Sequence, residues 1–173
     1  MSRSIDFGTL TIKDALDLAI LIEEEARERY EEFVDQMELH HTPEAASFFR
    51  FMVSNEEKHR QQLSEKRHNL FRDEPSKMSR EMLWDVEAPD YSEARAFMSP
   101  RQAMEVALQA EVKAHDFFDS ALVHITDPEV RHLFEELREE EVEHRNLLEN
   151  EMAKLPTAPD VNPDDYADEP TAQ

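Results

Sequence analysis

Apolar side chains recur along this chain at alternating steps of three and four over four long stretches, the period that keeps one helical face dry. The first stretch carries Leu16, Ile20, Tyr30, Val34 and Met37, and the second Ala45, Phe49, Met52, Leu63 and Leu70. The third carries Met104, Leu108, Phe118, Leu122 and Ile125, and the fourth Val130, Phe134, Leu137, Leu148 and Leu155. Prolines at Pro43, Pro75, Pro89, Pro100 and Pro128 fall between or at the start of these stretches, where a missing N–H costs little.

The pattern predicts four helices. Helix A runs from Thr11, its N-cap, to about His40, with Asp14 completing a cap-like pair. Helix B opens at Pro43 and reaches about Arg72; so short a link makes A and B antiparallel neighbours. Helix C starts with Ser99 as N-cap, Pro100 in the first turn and Gln102 as the box partner. Helix D starts at Asp127 and Pro128 and ends near Leu155.

Residues 73–98 form a crossover long enough to carry the chain from one end of a bundle to the other, with one short helix expected around Ser79 to Val86. Residues 1–10 read as an N-terminal extension. The tail, residues 156–173, is rich in proline and acid and is expected to be disordered. The fold class is therefore all-α, an antiparallel four-helix bundle over residues 11–155.

The halves repeat one another. At an offset of 85, Pro43, Phe49, Glu56, His59 and Leu63 fall on Pro128, Phe134, Glu141, His144 and Leu148. At an offset of 88, Ala15, Ala19, Glu23 and Ala26 fall on Ala103, Ala107, Glu111 and Ala114. The bundle is thus expected to be a duplicated helix hairpin with approximate two-fold symmetry.

Each apolar seam is interrupted near its middle by polar residues: Glu23 and Arg27 on A, Glu56 and His59 on B, Glu111 and His115 on C, Glu141 and His144 on D. Four carboxylates inside a core would each cost several kcal/mol, or would take up protons, unless cations met them. Two divalent ions match that charge. Glu-x-x-His sets both donors on one helical face, and the duplication supplies it twice. Mixed carboxylate and imidazole ligation suits iron or manganese.

Composition narrows the chemistry. With 19 Lys and Arg against 41 Asp and Glu the net charge is −22, which argues against nucleic acid as a partner. The chain has no cysteine, which removes disulfides, thiol catalysis, iron–sulfur clusters and cysteine-ligated haem. Its one glycine cannot build a phosphate-cradling loop. No apolar run approaches the ~18 residues of a membrane span, and no secretory signal plan is evident, so a cytoplasmic protein is expected.

Glu23-x-x-Ala26-x-x-x-Tyr30 and Asn55-Glu56-Glu57-Lys58-His59, with the repeated Glu-x-x-His, resemble the ferritin-like di-iron carboxylate proteins, the rubrerythrin branch above all. The resemblance covers Thr11 to Leu155. It implies two irons per chain, with manganese or a mixed pair as alternatives, and no haem. It also implies Glu23 and Glu111 as terminal ligands, Glu56 and Glu141 as bridging ligands, and His59 and His144 capping one metal each. Rubrerythrins usually carry a four-cysteine rubredoxin domain; this chain has none, so an external protein must donate electrons. They also often hold an extra Glu three residues after the third helix's ligand, where this chain has Ala114.

The resemblance implies a di-iron oxidoreductase that reduces peroxide or dioxygen, as a peroxidase or ferroxidase, and a homodimer or larger homo-oligomer. The alternative is an iron-binding, storage or sensing module whose metal pair is structural and whose acidic tail docks a partner. His115 and Tyr30 are candidate catalytic neighbours of the metals, His115 as a seventh ligand, as a proton donor to bound peroxide, or as a hydrogen-bond partner of a ligand carboxylate. Phe33, Phe48, Phe51 and Phe117 lie beside the seams, where some widen the core stripe or, with Trp84 and Tyr91, they form a subunit interface.

Overall fold

The computed structural model describes residues 5–83 and 86–155. Four long helices account for most of them: α1 (Ile12–Leu39), α2 (Pro43–Phe71), α3 (Pro100–Leu122) and α4 (Pro128–Lys154). Among the described residues there is no strand. α1 packs chiefly on α2 and α3 on α4, so two hairpins build a four-helix bundle.

The helix starts follow from side-chain chemistry. Thr11 Oγ1 accepts from the Asp14 amide at 3.2 Å, and its hydroxyl donates to Asp14 Oδ2 at 2.7 Å. Ser99 and Gln102 close a full capping box around α3, with Pro100 in the first turn. Asp127 accepts from the amides of Glu129 and Val130 to start α4. α1 ends at Leu39 with His40 as its C-cap, and His41 turns the chain in the left-handed region at φ 57° to begin α2 two residues on.

The crossover differs from expectation. Within the span Ser79 to Val86, where a short helix is expected, the described residues form a 3-10 turn, Arg80–Met82, and a second such turn follows at Tyr91–Glu93. Trp84 and the tail at 156–173 lie outside the described residues. The segment before α1 also forms a 3-10 turn, Phe7–Thr9, and packs Phe7 edge-on against Phe117 and Phe134.

The core comes in two parts. One cluster joins Leu16, Ile22, Leu63, Phe118, Phe134 and Leu137; the other joins Tyr30, Phe33, Phe49, Met52, Ala107 and Leu148. On every helix the break between them falls at the polar interruption of the seam. The register of α1 differs by a fraction of a turn from the predicted stripe: Ala19, Ile22 and Phe33 are buried, whereas Ile20, Arg27 and Val34 lie at the margin. Phe33 and Phe48 are core residues rather than interface candidates, while Phe51 and Tyr91 are exposed.

Candidate metal centre

Between the two apolar clusters the helices bring Glu23, Glu56, His59, Glu111, Glu141 and His144 into one layer. They form two triplets. The donor atoms of Glu23, Glu56 and His59 all lie within 4.8 Å of one another, as do those of Glu111, Glu141 and His144. Each triplet takes one Glu from the first helix of a hairpin and Glu-x-x-His from the second, so each is the other's image under the sequence duplication. The imidazoles of His59 and His144 meet between them, stacked with centroids 4.6 Å apart.

Burial decides what this layer can do. Glu23, Glu56, Glu111 and Glu141 are all under 5% exposed. No hydrogen-bond partner exists for Glu23 Oε2, either oxygen of Glu56, Glu111 Oε1, Glu141 Oε2 or His59 Nδ1. His144 Nδ1 lies 3.1 Å from Glu111 Oε2, within hydrogen-bonding distance. Native interiors rarely leave so many polar atoms orphaned, and lone-pair donors facing one another are satisfied by cations. The donor set therefore fits a pair of divalent metal ions.

The protonation of the layer carries the same message. Burial first, and then the charge of neighbouring Glu87, raises Glu23, Glu56 and Glu141 well above the usual carboxylate range. Burial, followed by the charge of His144, pulls His59 down to about 4. Burial also opposes the charge on His144, but its hydrogen bond to Glu111 and the acids around it prevail and raise it. By contrast Glu57, one residue from Glu56, is held at about 2 by hydrogen bonds from Arg60 and Gln61 on the surface.

One member of the layer was not legible in the sequence. Glu87, from the crossover, is 2% exposed, with Oε2 unpartnered. Its donor atom lies within 4.8 Å of those of Glu56 and Glu111, one from each triplet. Burial and the charge of Glu111 push it up to about 7. The only local signal is a Val-Glu-Ala-Pro run, an acid between small apolar residues in an otherwise charged connection.

Tyr30 is fully buried, stacked on Phe49 at 5.9 Å, with its hydroxyl unpartnered. Burial and then the charges of Glu111 and Glu56 raise its pKa well above the usual phenolic value, so it stays a neutral donor beside the carboxylates. His115 joins neither triplet; its side chain is 26% exposed with Nδ1 3.2 Å from Asp116 Oδ1. Arg27 lies at the layer's margin, donating to Glu31 at 2.7 Å. His41, His68, His124 and His132 are exposed and His40 is half-buried beside Phe97, all outside both triplets.

The comparisons agree with the geometry. The family profile described as Rubrerythrin matches residues 14–152. A solved structure of an uncharacterised conserved protein from Magnetospirillum magnetotacticum MS-1 is similar at 29% identity and a TM-score of 0.64, over 88% of this chain and 100% of that one. No curated protein matches the chain. Among the described residues no helix is long and apolar enough to cross a membrane.

Proposed function

The chain belongs to the rubrerythrin family, and from that premise we propose that it is a non-haem di-iron oxidoreductase that reduces peroxide or dioxygen. One observation carries the reading: buried carboxylate and imidazole atoms face one another unpartnered between two dry clusters. A bound iron pair would supply two electrons together and a Lewis-acidic seat for a small oxidant.

The protein's own residues hold and tune that pair. Glu23, Glu56 and His59 take one ion, and Glu111, Glu141 and His144 the other. The histidine side chains, each 14% exposed, are the most accessible of the six, so a small oxidant enters along their edge. Tyr30 keeps its proton and faces the layer as a hydrogen-bond donor. In this reading the electron donor is a separate redox protein.

Repeated cycles test this directly. Iron-loaded, chemically reduced protein is expected to consume about one peroxide per chain, and to do so again after each re-reduction. Iron that is held but never changes oxidation state would instead identify a storage or structural role. Continued consumption of excess Fe(II) with dioxygen would mark iron itself as the substrate, in keeping with the acidic surface.

A further inference from the structure

Glu87 has no counterpart under the internal duplication. The two hairpins supply one triplet each, whereas residue 87 lies in the connection between them. Its surroundings nevertheless hold it in place. Val86 and Ala88 on either side are 7% and 0% exposed. Lys113 of α3 donates to the Ala88 carbonyl at 2.6 Å. Arg29 of α1, itself 3% exposed, donates to the Pro89 carbonyl and lies 3.4 Å over the Tyr91 ring. Before Glu87, Arg80 forms a two-pronged pair with Glu28, with the longer bond at 2.8 Å, and stands 3.3 Å from Glu24. The crossover is thus fastened to α1 on both sides of Glu87 and to α3 just after it.

Driving a fifth carboxylate into a layer that already holds four is unfavourable unless a cation or a proton meets it, and the convergence of Glu87 with one donor from each triplet is the arrangement a cation would require. A plug meant only to seal the bundle would place an apolar side chain here, as it does at Val86 and Ala88. We infer that Glu87 is a seventh ligand of the metal pair, reaching between the two triplets from the crossover strap. This rests on the di-metal reading of the six helix residues. It adds an element of asymmetry, because a single strap carboxylate serves a site otherwise built from two equivalent halves.

Charge balance gives the ligand a purpose. Four carboxylates neutralise two divalent ions and leave two positive charges on two trivalent ones. With Glu87 the corresponding sums are minus one and plus one, so neither oxidation state carries a large uncompensated charge in the buried layer. Removing the Glu87 charge should disfavour the trivalent pair.

The test uses the full-length chain, stripped of metal and titrated with Co(II). Wild type is expected to bind two ions. Glu87→Gln, which preserves shape, should still fold and bind, but with one ion weakened by about tenfold or more. Its visible Co(II) bands should intensify as coordination number falls, and the reduction potential of its iron-loaded form should rise. Glu81→Gln, an exposed carboxylate of the same connection, should behave as wild type. Two tightly bound ions in wild type with unchanged affinity and spectrum in Glu87→Gln would overturn the seventh ligand alone. Failure of wild type to bind a pair of ions would overturn the di-metal reading and this ligand together. Should Glu87→Gln fail to fold, Glu87→Asp decides: a shortened ligand must alter the Co(II) spectrum, whereas an unchanged one overturns the inference.

Discussion

The imidazole rings of His59 and His144 lie parallel, 4.6 Å apart and inclined by only 2°. They are duplicated residues from α2 and α4, and their environments pull them in opposite directions. His59 is pulled down to about 4 by burial and then by His144, while the Glu111 hydrogen bond raises His144 against its own burial. Near neutral pH, therefore, His59 is a neutral donor ready for a metal and His144 holds on to its proton more tightly than a free imidazole.

Metal binding must displace the protons that His144 and the raised carboxylates Glu23, Glu56 and Glu141 retain. Calorimetric titration with Co(II) at pH 7, in buffers of different ionisation enthalpy, is expected to show net proton release of about one or more per chain. Heats that do not depend on the buffer would mean that the layer is already fully ionised.

The metal-free protein should be more stable at pH 6 than at pH 8. An acid whose folded value is raised contributes a penalty that is absent below its unfolded value and grows as pH rises towards the folded one. For Glu87 that window runs from the ordinary carboxylate range to about 7, and Glu23, Glu56 and Glu141 act in the same direction. His59 opposes this, since its depressed value costs stability as pH falls through the ordinary imidazole range, but it is set against those four acids and His144, whose raised value also favours the lower pH. Denaturant midpoints across pH 6 to 8 give the sign; saturating metal should abolish or invert it.

Glu56→Gln should separate stability from binding. Glu56 is fully buried with neither oxygen partnered and must take up a proton on folding, so a permanently neutral amide there is expected to stabilise the metal-free bundle by about 1 kcal/mol, or ~3 °C in Tm, while abolishing the paired-metal signal. Glu139→Gln, on an exposed position of α4, should change neither. Thermal melts and metal analysis of the three proteins check both halves. If the Glu139 variant were the one that lost metal, the register of α4 would be at fault.

Packing of the second apolar cluster makes a prediction independent of metal. Phe49 is fully buried, against Tyr30 at 5.9 Å and Phe33 at 5.2 Å. Phe49→Ala should cost about 3–5 kcal/mol by denaturant unfolding, and Ser99→Ala, which breaks the α3 capping box, about 1 kcal/mol.

Much of this was readable in the residues because helix boundaries are set locally. Thr11, Ser99 and Asp127 cap helices through their own side chains, and Pro43, Pro100 and Pro128 sit at first-turn positions, so the starts depend on no tertiary contact. The six helix residues that the structure brings together stood out for a related reason: an acid or imidazole between apolar seam neighbours conflicts with burial unless it has a task. The stripe of α1 was harder. Steps of three and four are nearly equivalent across the run Glu23 to Arg29, and alanines such as Ala19 and Ala26 weigh little as hydrophobes yet pack closest. Glu87 carried no periodic signal, since its burial comes from Arg29 and Lys113, distant in sequence, gripping the carbonyls beside it.

The most direct test of the di-metal site is elemental analysis of anaerobically iron-loaded, full-length protein, paired with near-ultraviolet and visible absorption before and after one equivalent of hydrogen peroxide. Two irons per chain, with a new absorption that disappears on reduction, is the expected result. Absence of stoichiometric iron, or iron whose absorption never changes, would contradict a redox-active pair held by Glu23, Glu56, His59, Glu111, Glu141 and His144.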